Sequence, residues 1–313
     1  GGFDSSAIKD GVITDFEAVA EATKHLFDHN IVGEINTRRV ALAIPASRTY
    51  TRTITLPNVK DEEIHEAVHT EAEQYIPMPI EELYLDYTVI SKDKDGMEIL
   101  AVAAPKQIVD SQIELTKILG LETVGVDTSI LAATRLFERQ NEHEDIPAVL
   151  IDFGSVSADI TVHDKAVIVT GTIPQGGDTF TELIAKKLKV STEEAHVIKT
   201  KYGIGKSKKQ SELLEVVRPS IDQLAKEIRR MIRYHEERSG SEQKIGQVVT
   251  MGGGANMPGL SELLTDTIRL PVRTCEPWHN LKLGNLKSPN TYEKSLYVTV
   301  AGLSLINSKE LFS

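Results

Sequence analysis

The chain has 313 residues and a formal net charge of −11. That length exceeds a usual single core and implies two domains or one subdivided domain. The acidic balance, relieved locally only by KSKK at 206–209, makes nucleic acid a poor partner. Cys275 is the single cysteine, which rules out an internal disulfide and a cysteine-based zinc cluster and fits a reducing compartment. No apolar run reaches the ~18–20 residues needed to span a bilayer. The first residues carry no basic segment followed by an apolar core, so an unexported chain is expected, with any membrane link running through a partner.

In chain order, residues 16–28 place Phe16, Val19, Ala20, Leu26 and Phe27 near one helical face, with Asp15 as N-cap. A buried strand is expected at RRVALAIPAS, and the period-two alternation of TYTRTITLP marks a half-buried one. Residues 61–75 read as a helix stopped by Pro77 and Pro79. Strands at 83–90 and 97–104 follow, joined by the polar turn KDKDG, then a helix at 106–119 and a closing strand near 123–127. This β, α, β, β, α order reads as a compact inserted module. SILAATRLFERQ is helical, with Ala132 and Ala133 permitting close helix approach, and NEHEDIP reads as a charged linker. Strands resume at Ala148, and 151–173 reads as three strands turning at HDK and closing at IPQGGDTF, followed by helices at 179–188, 191–202 and 212–238. In the last of these, Ile221, Leu224, Ile228, Met231 and Ile232 face a core, and Arg229, Arg230 and Arg233 form a solvated basic face. A final helix over about 292–306 carries Ala301 and Gly302, a second small-residue contact.

Two strand-to-turn junctions carry the chemistry. VVTMGGGANMPGL at 248–260 runs a β-rich segment into Gly252, Gly253 and Gly254, whose missing Cβ atoms let backbone pass close to a bulky ligand. IDFGSVSADITV at 151–162 has the character of a phosphate-binding hairpin. Asp152 ends a strand, Gly154 opens the turn, and Ser155 and Ser157 supply hydroxyls beside turn amides. A polyanion needs inward N–H groups, small hydroxyls and an acid for its metal. His196 and Lys199, three apart on a helix, share a face from which they could reach a ribose or flank a base. No second acidic residue stands out beside the glycine turns as a reaction base.

IDFGSVSADITV, IPQGGDTFTE, EEAHVIKTKYG and VVTMGGGANMPGL occur in the order found in the actin-like ATPases, the superfamily of actin, the large heat-shock chaperones, FtsA and MreB. EAEQYIPMPIEELYLDY at 71–87 resembles the inserted subdomain of the PilM family of type IV pilus machinery, and AVAAPKQIVD and LGLETVGVDTSILAATRLF continue the likeness. The resemblance implies an α/β, actin-like (ribonuclease H-like) two-lobed fold with a small inserted α+β subdomain. The implied division puts 1–48 and 128–146 in the first lobe core, with helix 292–306 returning to it, and 49–127 in the inserted SHS2-like subdomain. The second lobe core takes 147–190 and 245–291, and a helical nucleotide-side subdomain takes 191–244.

Position by position, the resemblance puts Asp152, Gly154, Ser155 and Ser157 in the second phosphate loop and Gly252, Gly253, Gly254 and Asn256 in the adenosine loop. Asp152 would hold Mg indirectly and be the catalytic candidate. His196 and Lys199 fall where the family has a Glu and a Lys near the ribose, and Ala158 stands where related sequences often carry Thr. FDSSAIK at 3–9 only imitates the first phosphate loop, so the chain is expected to lack that loop and one edge of its sheet. The implied function is an ATP- or ADP-binding scaffold, at most a slow ATPase, held at the inner membrane by the N-terminal peptide of a PilN-like protein. It would couple that protein to pilus assembly or retraction ATPases, with homo-oligomers possible. The peptide would lie along the cleft beside the inserted module, near the strands at 40–44 and 50–56. A small-molecule phosphotransferase and an FtsA-like division protein are the alternatives.

Overall fold

The computed structural model describes residues 2–31, 33–140, 146–238, 244–278, 284, 290 and 294–306. Most of the charged linker NEHEDIP, residues 141–145, and the first residues of the expected final helix lie outside them. The chain divides into two compact units, one built on residues up to Ala132 with Gly302 and those after it, the other on Ala133 to 281 with 289 to Ala301.

The first unit opens with a hairpin of β1 (Ile8–Lys9) and β2 (Val12–Ile13). Its two-residue turn places Asp10 at φ 51° and Gly11 at φ 89°, both left-handed, as the twist of a tight hairpin requires. α1 (Phe16–His29) follows, and the Asp15 side chain accepts from the Ala18 amide. Val19 and Ala20 are buried as expected, but Leu26 and Phe27 are exposed. The helix packs on the hairpin and on Leu115 through its first half only, so its second half has no core to enter.

β3 (Arg39–Ile44), β4 (Tyr50–Leu56), α2 (Ile64–Ala72), β5 (Leu83–Lys92), β6 (Met97–Pro105) and α3 (Lys106–Ile118) follow the expected order. β6 lies between β4 and β5, antiparallel to both. Its inward residues Met97, Ile99 and Ala101 pack with Ile54 and Leu56 against Ile64 and Val68 of α2. β7 (Glu122–Thr128), expected to close that module, pairs instead in parallel with β3, from Arg39 opposite Glu122 to Ile44 opposite Thr128. A parallel pair needs a long crossover, and the whole module with α3 supplies it.

α4 (Ser129–Gln140) leads to the second unit: β8 (Ala148–Phe153), β9 (Ala158–Asp164), β10 (Ala166–Ile173), α5 (Gly177–Leu188), α6 (Thr192–Lys201), α7 (Gln210–Arg238), β11 (Gln247–Met251), α8 (Leu260–Ile268) and β12 (Val272–Thr274). The strand order is β12-β11-β8-β9-β10, with β8, β11 and β12 parallel and β8, β9 and β10 a meander. This is the ribonuclease H-like order. Central β8 is buried at nearly every position, and Val149, Ile151 and Phe153 join Ile160, Ile184, Ile221 and Leu264 in the main core. Each such side chain contributes ~1.5–3 kcal/mol of burial.

The last helix is shorter than its sequence pattern suggests: a tight turn over Lys294–Tyr297 precedes α9 (Val298–Leu303). Gly252 N–H donates to the Ser295 carbonyl, and the Ser295 hydroxyl donates to the Gly252 carbonyl. A Ser295 carbonyl given to the glycine loop is taken from an α-helical ladder.

Candidate functional site

The second unit has a topological switch point. β8 leads to β9 on one side and β11 leads through α8 to β12 on the other, so the chain leaves their C-terminal ends in opposite directions, the position at which α/β folds take ligands. Both sequence-selected turns lie there. Met251 is paired with Asp152, so Gly252–Gly254 and Gly154–Ser157 leave adjacent strands side by side. A Cβ on Gly252, at φ 80°, would collide with Asp152 Oδ1 and stand 2.6 Å from the Phe153 carbonyl, and one on Gly254 would be 2.8 Å from Phe153 Cβ. These two glycines are demanded by the close passage of the two loops. Gly253 is exposed, and a Cβ there would meet only the end of Leu296, 2.8 Å away.

The start of α5 completes the hairpin turn. Gly177 N–H donates to the Gly154 carbonyl at 2.9 Å and Asp178 N–H to the Ser155 carbonyl at 2.8 Å. Ser155 and Val156 are exposed and Ser157 is half-buried, so this brace holds the turn open to solvent. Lys199 is buried, and its Nζ donates to the Gly177 carbonyl at 2.7 Å. Burial lowers its pKa, against the opposing effect of Asp178. His196, one turn earlier, is exposed on α6; the shared face expected for the pair splits, one side chain entering the protein and the other solvent. Beyond α6, Ile204 N–H donates to the Pro258 carbonyl, and Gly203 at φ 48° lies under Pro258 and Met257. α6 therefore bridges the hairpin turn to the loop that carries Asn256. Replacing Lys199 with Met removes a charge-assisted bond of ~1.5–3 kcal/mol and the cost of burying the ammonium with it. The expected net loss is about 1 kcal/mol of stability, read from the urea midpoint.

Asp152 is half-buried, and burial raises its carboxyl to about 6, with the Asp159 carboxylate opposite adding to the shift. Asp159 pairs with Asp152 across β8 and β9. Burial raises Asp159 too, while the hydrogen bond from Thr172 Oγ1, 2.5 Å, works the other way. The expectation of no second acid beside the turns is thus corrected: Asp159 and Asp178 both stand there. The sequence held a signal for Asp159, because a four-residue turn over 154–157 sets 152 opposite 159. Ser295, the clamp on Gly252, left no local signal.

Strand order, switch point and paired turns define the actin-like class. Consistent with this, MreB5 of Spiroplasma citri bound to AMPPNP superposes with a TM-score of 0.58 at 16% identity, over 97% of this chain and 78% of that one. The family model for type IV pilus assembly protein PilM matches residues 2–308, and the chain belongs to that family. The PilM–PilN type IV pilus biogenesis complex superposes with a TM-score of 0.81 at 24% identity, covering 97% of this chain and 89% of that one. The cell division protein FtsA of Bacillus subtilis (strain 168) is 26% identical over 241 residues, 66% of this chain and 54% of that protein. The chain thus spans about half the length of this FtsA relative.

Proposed function

We propose that this pilus assembly protein is a nucleotide-regulated scaffold: the switch point holds ATP or ADP with Mg, and the first unit receives the N-terminal peptide of a PilN-like membrane protein. The observation that carries the nucleotide reading is the abutting of the two glycine turns at the ends of β8 and β11. Amides and hydroxyls of the 154–157 turn would face phosphate, and Gly252–Gly254 with Asn256 would line the nucleoside, with His196 at its exposed rim. Lys199 would act by holding the start of α5 against the phosphate turn. The residues present fit a magnesium ion, because Asp152 and Asp159 oppose each other and a cation held through water by Asp152 would relieve their repulsion. MreB5 with AMPPNP supports the same reading.

The peptide reading rests on a cavity of about 360 Å³ within the first unit, lined by Val12, Arg48, Tyr50, Met78, Pro105 and Ile108 among others. Its apolar floor and the Arg48–Asp10 pair at its rim, 3.4 Å, suit an extended peptide with apolar side chains and polar backbone. The PilM–PilN complex supports that choice of partner. Held by such a peptide, the protein would sit at the membrane and pass nucleotide state to cytoplasmic pilus ATPases, through whatever difference in affinity the nucleotide has for two states. Hydrolysis would be slow at most. The test is titration of a labelled PilN-like N-terminal peptide with and without Mg-ATP. Nucleotide should change the peptide affinity severalfold, and Met78→Asp should weaken it at least tenfold with Mg-ATP affinity unchanged. Equal peptide affinity in both conditions removes the regulatory part, and a Met78→Asp chain that binds normally removes the groove.

The FtsA relatives support a second reading, a division-type protein that reaches membrane unaided. Co-sedimentation with liposomes in the absence of any peptide would favour it.

A further inference from the structure

The helix α2 carries a residue pattern that neither the nucleotide nor the peptide uses. His65, Glu66, Ala67, Val68 and His69 run in the order H-E-x-x-H, whose two histidines, four apart on a helix, share one face and chelate a metal ion. α2 buries Ile64, Val68 and Ala72, and turns His65 and His69 to its flank, the first exposed and the second half-buried. Their rings are 4.4 Å apart between centroids and tilted by 58°, and the His65 ring lies 6.3 Å from that of Tyr87 on β5. At ~100° per residue, Glu62, Glu66 and Glu73 fill the sector beside the histidines, and all three are exposed. Lys92 pairs with Asp61 and Gln74 donates to Glu71, which leaves those three glutamates available. Residues 61–86 hold nine Asp and Glu and no Lys or Arg, so the local field favours a cation.

We infer that His65 and His69 on α2 form a binding site for a zinc-class divalent cation, with a carboxylate of Glu62 or Glu66 and water completing its shell. Imidazole suits zinc, copper and nickel, whereas magnesium and calcium prefer oxygen ligands. Ligand bonds of ~2.0–2.1 Å to both rings are reached by rotating surface side chains, without moving the helix backbone. Among the described residues no three His, Cys, Asp or Glu side chains are already gathered as a metal-binding group. The two imidazoles are therefore the recognition element, and the glutamate swings in with the ion. A peptidase centre of the same residue order needs a third fixed ligand beside its open position, and α2 supplies none, so the site binds a cation without hydrolysing peptides. The bound ion ties successive turns of a nine-residue helix that is too short to be stable alone, and stabilises the native chain by mass action.

Calorimetric titration of the full chain with zinc chloride, free of any affinity tag, nucleotide or peptide, tests this through two paired substitutions. The unaltered chain should bind zinc and melt at a higher temperature when zinc is saturating. His65→Gln with His69→Gln should lower the zinc affinity at least tenfold and abolish the rise in melting temperature. Without zinc that variant should melt within ~2 °C of the unaltered chain, which establishes that it is folded. The second histidine pair, His25 and His29 on α1, is the control. Its rings stack 4.5 Å apart and only 20° from parallel, with His29 Nδ1 on the His25 carbonyl at 3.2 Å, so their nitrogens do not converge. His25→Gln with His29→Gln should leave the zinc affinity unchanged. A chain that takes up no zinc, an affinity unchanged in the α2 variant, or one lost in the α1 variant instead would each overturn the inference. His65 and His69 lie outside the proposed nucleotide site and the lining of the peptide cavity, so these outcomes are independent of the proposed ligands.

Discussion

Replacing Asp152 with Asn is expected to stabilise the ligand-free protein at pH 7 while removing its Mg-dependent nucleotide affinity. The folded-state carboxyl titrates at about 6 against 3.8 in the unfolded chain, chiefly because it is desolvated and secondarily because it faces Asp159. A group whose folded pKa is raised contributes stability that is complete below the unfolded value and is lost as pH rises through the folded one. The loss therefore falls between about pH 4 and pH 6, and above it the native state carries the cost of an ionised, half-buried carboxylate. Two pKa units correspond to roughly 3 kcal/mol. An amide that replaces the carboxylate avoids most of that cost, so a gain on the order of 2 kcal/mol is expected at pH 7 and almost none at pH 4. A urea-midpoint series from pH 4 to 7.5 checks this: the unaltered chain should lose stability across pH 4–6 and the Asp152→Asn chain should be nearly flat there. Binding moves the opposite way, because magnesium prefers the charge that folding disfavours, and Mg-ATP affinity should fall at least a hundredfold. A chain weakened by the substitution at pH 7 would mean that the carboxylate has a structural partner.

Gly302→Ala has the second large effect, and two terms of opposite sign decide it. Alanine in a helix is favoured over glycine by ~1 kcal/mol, so propensity alone predicts a more stable protein. An added Cβ at Gly302, however, would overlap the Ala132 carbonyl and lie 3.0 Å from Ala132 Cα. Both neighbours are backbone and cannot rotate away. Overpacking of this kind costs ~1–3 kcal/mol, more where backbone must move. The steric term wins, and a net loss of about 2 kcal/mol is expected in the urea midpoint. An unchanged or raised midpoint would mean that α9 and α4 slide apart without cost.

Ala132 and Gly302 were each legible as part of a small-residue contact, but that the two meet each other is a finding of the structure. The second unit was legible from its strands: β8 is a continuous apolar run ending in Asp152, and the glycines after β11 mark where the neighbouring strand must end too. Their adjacency followed from the parallel pairing of β8 with β11, which no local pattern encodes but which the family order supplied. What escaped was decided at long range. β7 chose β3 over the module beside it, a choice of partner between strands of similar local character. Leu26 and Phe27 match the helical face of Val19, yet the hairpin and α3 reach only the first half of α1. His196 and Lys199 share a helix face by spacing, and the Gly177 carbonyl captures one of them. The Ser295 clamp joins residues 43 positions apart through a carbonyl, a group that every residue carries.

The central claim, that the two turns form one nucleotide site, is tested most directly by Gly253→Val. A side chain there meets only the movable end of Leu296, so the fold should tolerate it and the melting temperature without ligand should change by no more than ~2 °C. Saturating Mg-ATP, at a hundredfold its dissociation constant, should add ~2.7 kcal/mol to the unaltered chain. It should add nothing measurable to the Gly253→Val chain, whose new methyl groups occupy the space the nucleoside needs. An equal nucleotide-dependent shift in both chains, or no shift in the unaltered one, would contradict the account.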